Sequence, residues 1–499
     1  MVVVCFAVLV CCVGFAKQGS QTPAALAARL RRPVAAAFLD DGRTLGVANA
    51  RSGTVSLVDV QQGRVRAETA AGKHLADLAV LPDRKHVLVV EDERHELVAL
   101  SFDGVRLSVR ARLPVAPYPA SIVIQADGKR ATVASLWSRR LQVVDLTSLS
   151  AASSSLRVLH TLHLPFAPRN QCVLPGSSQV VVADAFGGRL AVVDAAAGRL
   201  LAIHQLNGHN LRGLAVSADG KHLLIAHQIL DPQAPATEEK VWRGILMANV
   251  VGMIPLAELR KPGADITKLE EVISLKGSGQ GAGDPAGLTV LGADQFAVAL
   301  AGVNEVAVVG GADDHSIRRL LVGRRPTAIV RGAPGQPALV LNTFDDSLSV
   351  IDPRRGFVVG TIALGRQPAL AAADRGELLF FDAHLSRDGW MSCHSCHTDG
   401  HTNGLLADTL GDGSHGTPKR TLTLRGTALT DPWAWNGGMK YLQDQIEQSL
   451  TDTMHAPSVS GEQINDLLSF LHTLPPPPPL EPVTEDKADR EQVERGRRI

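Results

Sequence analysis

The chain has 499 residues, with 50 Lys and Arg against 50 Asp and Glu, so its formal net charge is zero. A balanced chain offers no electrostatic case for binding nucleic acid or an acidic membrane surface. The length leaves room for about two to four domains. Aromatic residues are only 4% of the chain, so a core must be packed on Val, Leu, Ala and Ile.

Residues 1–16 are nearly all apolar, and Gly14 and Ala16 are small residues at the −3 and −1 positions of a cut before Lys17. The segment reads as a secretory signal peptide, with the mature protein periplasmic or extracellular. It lacks the usual Lys or Arg near the start, and the alternative is an N-terminal membrane anchor. No later run is long enough to span a bilayer, so any membrane association is expected through this segment alone. Removing the leader takes away Cys5, Cys11 and Cys12 and leaves Cys172, Cys393 and Cys396. Cys172 is then expected to be a small buried apolar residue.

Residues 30–367 repeat a unit: a Pro-led apolar strand, an Asp-Gly-Lys/Arg turn, an apolar strand, a polar turn, and a strand ending near Val-Val-Asp. Clear copies carry Asp41-Gly42-Arg43, Asp127-Gly128-Lys129 and Asp219-Gly220-Lys221 as turns, and Val143-Val144-Asp145, Val192-Val193-Asp194 and Val350-Ile351-Asp352 as strand ends. With weaker copies near 76, 168 and 285 there are seven units, one lengthened by an inserted loop across about 229–283. Short strands with Gly turns at a period of roughly 40–50 residues predict a β-propeller, one unit per four-stranded blade. The pattern resembles the bacterial YVTN-type seven-bladed propellers. The insertion is expected to pack on whatever follows. His209 and His227 flank this blade and are expected to be structural.

From about 374 the texture changes: five of the 17 histidines fall between 384 and 415, and three of the five tryptophans lie in 390–435. Cys393-His394-Ser395-Cys396-His397 is a C-x-x-C-H, the spacing for covalent haem c: two thiols bond one porphyrin and the adjacent histidine takes the iron. A thioredoxin-like couple or half a zinc site are the competing readings. Polar turns on both sides oppose the first, and the second needs two further ligands. Residues 377–382 and 439–450 suit helices. Ser460-Gly461-Glu462-Gln463 is a capping box, followed by Ile464, Leu467, Leu468 and Leu471 on one helical face. The chain is thus expected to be multidomain: an all-β seven-bladed propeller, then a small all-α cytochrome c-like domain over 374–474. Pro475 to Pro479 would end its last helix in a stiff spacer.

The run Leu379-Phe380-Phe381-Asp382-x-x-Leu385-Ser386-x-Asp388-Gly389-x-x-Ser392-Cys393-x-Ser395-Cys396-His397 resembles the first haem site of the bacterial di-haem cytochrome c peroxidase/MauG family. Residues 419–426 and Trp433-Ala434-Trp435-Asn436-Gly437 resemble that family's segments after the haem. The resemblance implies a periplasmic redox protein that uses hydrogen peroxide or exchanges electrons with a donor or acceptor protein. The family has two haem modules, each with its own C-x-x-C-H, whereas this sequence contains one. Its ending from Asp489 resembles the lead-in to a second module, so 475–499 is read as a linker and the start of a truncated second module. A true mono-haem protein is the alternative.

For the sixth iron position Met439 and His415 both stand within reach along the chain, and Met454 and His455 follow the helix. His401 is too close to His397 to cross to the other side. Peroxide cleavage needs an acid–base group and a polarising group beside the distal oxygen. Gln445 and Glu447 are the candidates, and Gln445 matches a position in the family's distal segment. His455 stands where the resemblance places an acid, a departure that puts ordinary peroxidase acid–base chemistry in doubt. Trp433 and Trp435 are expected to pack against haem edges. Three function classes follow: a peroxidase-like enzyme with the propeller as platform, a non-catalytic electron carrier, and a propeller-based surface binding protein.

Overall fold

The computed structural model describes residues 28–40, 42–149, 155–275, 280–310, 316–332, 336–352, 354–479 and 487–498. The leader of residues 1–16 lies outside them. Seven four-stranded antiparallel sheets succeed one another along the chain, at 33–70, 75–114, 119–163, 168–205, 209–274, 285–321 and 326–363. They are the blades of a seven-bladed propeller, and a helical domain follows them.

The repeat has a local physical cause. The aspartate ending the third strand turns its carboxylate onto the next two or three backbone amides. Asp194 Oδ1 accepts from Ala196 N and Ala197 N at 3.0 and 3.1 Å, and Asp352 does the same for Arg354 and Arg355. This side chain closes the turn to the fourth strand. Within a blade, burial falls outward. In the first blade Thr44–Asn49 and Thr54–Asp59 are buried throughout, while Arg64–Ala70 at the rim is half-exposed.

Between neighbouring blades lie separate clusters of small aliphatic side chains, such as Leu174, Val181 and Val192 against Leu211, Leu223 and Ile254. Phe166 is one of few rings in these layers, as the low aromatic content requires. The ring closes without strand exchange: Asp346 at the last blade accepts from Arg31 N and Arg32 N at 2.9 and 2.7 Å.

The stretch 229–283 is not one inserted loop. It contains the blade's own third and fourth strands, Met247–Pro255 and Glu271–Ser274, separated by lengthened loops. The loop at 231–246 carries a short helix, Glu238–Trp242, and buries Ala236, Val241 and Leu246 against Phe380, Leu442 and Leu467 of the helical domain. A hydrophobic run here reads as one insertion because the strands and the loop share the same apolar residues.

The helical domain is built on α1 (Ala372–Phe380), α2 (Leu442–Gln448) and α3 (Gly461–Leu471). The α3 cap is reciprocal: Gln463 N donates to Ser460 Oγ at 3.2 Å and Ser460 N to Gln463 Oε1 at 2.9 Å. Helices α1 and α3 cross in backbone contact at Gly376, where a Cβ would meet the Asp466 carbonyl. Arg375 pins the same crossing with two bonds to the Asp466 carboxylate, at 2.7 and 2.6 Å. Alanine normally stabilises a helix interior by about 1 kcal/mol over glycine. Here the sign reverses: Gly376→Ala is expected to destabilise the domain by about 1–3 kcal/mol through overpacking. Urea unfolding of the variant checks this, and a variant as stable as the parent would contradict the close crossing.

Candidate functional site

Ser392 begins a single helical turn, Cys393–Cys396. His394 N donates to Ser392 Oγ at 3.1 Å and Ser392 N to Ser395 Oγ at 3.0 Å, a capping box inside the C-x-x-C-H itself. His397 N then donates to the Cys393 carbonyl at 2.9 Å. One turn therefore presents Cys393, Cys396 and His397 to the same side, and all three line one cavity of about 410 Å3.

Burial, with the neighbouring Cys396 and Asp284 adding to it, pushes the Cys393 thiol up to about 12; burial and then Asp284 do the same for Cys396. Both stay as thiols, unlike a low-pKa redox couple. Among the described residues no group of three or more His, Cys, Asp or Glu is placed to hold a metal ion, which leaves the zinc reading without its further ligands. Burial lowers the His397 imidazole to about 4, so it is neutral. Its Nδ1 lies 2.8 Å from the Leu422 carbonyl. A carbonyl accepts only, so Nδ1 carries the proton and Nε2 the lone pair, the tautomer of a metal-binding histidine.

The helices line the cavity with apolar side chains, Phe380 from α1, Leu442 and Ile446 from α2, Leu467 and Leu471 from α3, while Lys419, Arg420 and several threonines line it from 409–430. Two polar atoms in it stand out. Oε1 of Gln445 and Oε1 of Gln448 are buried, lack a hydrogen-bond partner, and belong to lining residues. Such orphan acceptors in a native fold call for a group that supplies donors. Paired thiols, a lone-pair imidazole and an apolar helical wall together fit a haem c.

The fold sorts the other sequence candidates. Trp433 and Trp435 line the cavity, their indole N–H groups anchored on the Thr427 and Arg420 carbonyls at 3.0 and 2.9 Å. Gln445 lines it too. Glu447 is exposed on the outer face of α2. His455 is turned away, its Nε2 2.9 Å from the Ala236 carbonyl of the propeller loop. His415 is exposed in a turn, and Met439 is held in a bridge with Trp433; neither lines the cavity. Met454 and Met391 do. Counting along α2 misplaces Met454 and His455 because the helix ends in a π-turn, Ser449–Thr453. That turn holds an extra residue and rotates everything after it.

Sequence reasoning did not find the propeller's part in the site. The loop is gripped by buried polar side chains of the propeller. Asp284 accepts from Ser392 Oγ at 2.5 Å and from Ser395 Oγ at 2.6 Å. His209 Nε2 lies 3.0 Å from the Ser395 carbonyl, and Asn210 Nδ2 reaches the same oxygen at 3.2 Å. Asn249 donates to the Trp390 carbonyl at 2.9 Å, and Thr398 Oγ1 to Asn210 Oδ1 at 2.6 Å. Arg169 and Arg212 both pair with Asp399. Burial alone would raise that carboxyl, but the two guanidinium groups hold it well below the usual carboxylate range.

A signal for this grip is present in the repeat. The residue before the blade's opening proline is Arg32, Asp284 or Arg325 in three blades, each with φ between 51 and 57°. The turn aims these side chains, Arg32 at Glu377, Asp284 at the serines and Arg325 onto the Phe381 ring.

Fold and site together define a seven-bladed propeller bearing a cytochrome c peroxidase-like domain. Residues 371–473 match the family model described as di-haem cytochrome c peroxidase. The methylamine utilization protein MauG of Methylophilus methylotrophus is 33% identical over 88 residues, covering 16% of this chain and 25% of that protein. The chain thus spans about a quarter of that relative's length. Among solved structures, the hydrazine synthase of Kuenenia stuttgartiensis aligns with a TM-score of 0.54 at 19% identity, covering 67% of this chain and 98% of that chain. That likeness is one of fold. No helix of the described residues is long and apolar enough to cross a membrane.

Proposed function

We propose that this protein is an exported c-type haem redox protein with peroxidase-like activity, its haem bonded to Cys393 and Cys396 and its iron held by His397. The observation that carries this is the single cavity into which one capped turn delivers two protonated thiols and an imidazole fixed by Leu422. Bound there, haem c would supply one-electron chemistry and an iron site for hydrogen peroxide. The chain's own residues do the rest. Leu422 holds the His397 proton on Nδ1. The apolar wall keeps water out. Gln445, its Nε2 held by Ser449 Oγ at 3.1 Å, aims Oε1 as an acceptor for a peroxide O–H. Trp433 and Trp435 would pack against the haem edge, and Met454 and Met391, not Met439 or His415, are the lining thioethers that could ligate the iron. The apolar leader supports export, and export agrees with haem c, which bacteria attach outside the cytoplasm. The propeller is the platform that holds the haem loop, and the electrons are exchanged with a partner protein.

One observation favours a second reading, electron carriage without peroxide turnover: among the described residues no carboxylate lines the cavity, so its wall lacks a carboxylic acid to pass a proton to peroxide. Secretion from a bacterial host with haem c maturation is expected to yield a haem-staining band on a denaturing gel. Cys393→Ser and Cys396→Ser are each expected to weaken it and the double variant to abolish it. An unstained parent band sinks both redox readings. Peroxide-driven oxidation of a reduced donor, lost in Gln445→Leu, separates the enzyme from the carrier.

A further inference from the structure

A second and larger cavity, about 1080 Å3, opens between the propeller and the helical domain. It is separate from the haem cavity in all but one lining residue, Arg420, which faces both. Its floor is three rings packed edge to face or tilted. Trp137 and Phe186 from the propeller have centroids 5.4 Å apart, and His401 lies 5.1 Å from the first and 4.9 Å from the second. Arg425 lies over the Trp137 ring at 5.4 Å. Burial, and then Arg425, lowers the His401 pKa, so the floor itself is uncharged.

The charges on the walls do not balance. The lining holds three arginines, Arg139, Arg189 and Arg420, and one carboxylate, Asp184. Asp184 is already committed to Arg189, at 3.1 Å. Arg139 is half-buried, and neither it nor Arg420 has a side-chain partner among the described residues. A half-buried guanidinium without an anion is an open site for a planar carboxylate, which its fork matches. A floor of ring faces and edges beside it suits an aromatic body.

We propose that this interdomain cleft binds a small aromatic carboxylate, its ring on Trp137, Phe186 and His401 and its carboxylate between Arg139 and Arg420. The site goes beyond the haem reading but is wired to it. Thr423 Oγ1 holds His401 Nδ1 at 2.8 Å, and the residue before it, Leu422, holds His397. A ligand on His401 therefore touches a ring whose hydrogen-bond partner, Thr423, is the chain neighbour of the residue that orients His397.

Calorimetric titration of the full secreted chain with 2-naphthoate tests the proposal. Naphthoate is expected to bind, and 2-naphthamide, its uncharged isostere, to bind roughly ten-fold more weakly or not at all. Arg139→Gln with Arg420→Gln removes no side-chain hydrogen bond or ion pair among the described residues and is expected to cost naphthoate at least about ten-fold in affinity. Trp137→Leu is expected to weaken both ligands. No heat with naphthoate, equal binding of the amide, or unchanged affinity in the arginine double variant overturns it. Because the titration reads binding alone, its outcome is independent of whether the haem band appears.

Discussion

Asp284→Ala is expected to lower the unfolding free energy by about 3–5 kcal/mol, the cost of losing two buried hydrogen bonds to one carboxylate. The carboxylate takes both serine hydroxyls that cap the C-x-x-C-H turn, at 2.5 and 2.6 Å, and the three residues are all buried. Each such bond to a charged group contributes about 1.5–3 kcal/mol. The backbone adds to this: Asp284 sits at φ 55°, a left-handed position that alanine tolerates less well than aspartate. Asp284→Asn keeps an acceptor and a similar shape and is expected to lose clearly less. Guanidinium unfolding of the full chain measures both. An alanine variant within about 0.5 kcal/mol of the parent, the ordinary range of an exposed substitution, would mean that the propeller does not hold the haem loop.

Acid is expected to loosen the same interface through His209. Burial lowers this imidazole to about 4, against 6.5 in the free side chain; His227 adds to the effect and the bond to Ser395 opposes it. The sign follows from which state takes the proton. Below pH 6.5 the unfolded chain protonates and the folded one does not. The stability this histidine contributes is therefore fully present above 6.5 and is lost as the pH falls toward 4. A shift of 2.5 units is worth about 3 kcal/mol. His394 is held well below its usual value in the same direction, again by burial first. In His209→Gln this term disappears. The stability gap between parent and variant should narrow between pH 7 and 4.5, and parallel curves would exclude His209 as the acid-sensitive contact.

Both predictions concern residues whose hold on the haem loop cannot be read along the chain. His209 looks like a lone histidine in a repeat, and Asp284 like one more residue before a blade proline. Their importance comes from closure of the ring. Two neighbouring blades bring Asp284, Asn210, Gln228 and Asn249 together, and only there do they become neighbours of one loop more than 100 residues later in the chain. The distal candidates failed in the opposite way. Glu447 and Met439 stand at reasonable spacings, but Glu447 lies on the exposed face of α2 and Met439 is held in a bridge with Trp433.

What the sequence determined by itself is whatever rests on contacts between near neighbours. The blade repeat is legible because each Asp-capped turn and each strand is local. The C-x-x-C-H is legible because one helical turn suffices to gather its three groups. The capping box at Ser460 is legible for the same reason. Tertiary structure alone decided the rest: which side chains wall the cavity, that Met454 enters it and His455 leaves it, and that the propeller grips the haem loop. Those outcomes depend on where rigid elements finally dock, and docking is set by shape and burial summed over many residues, which no short spacing records.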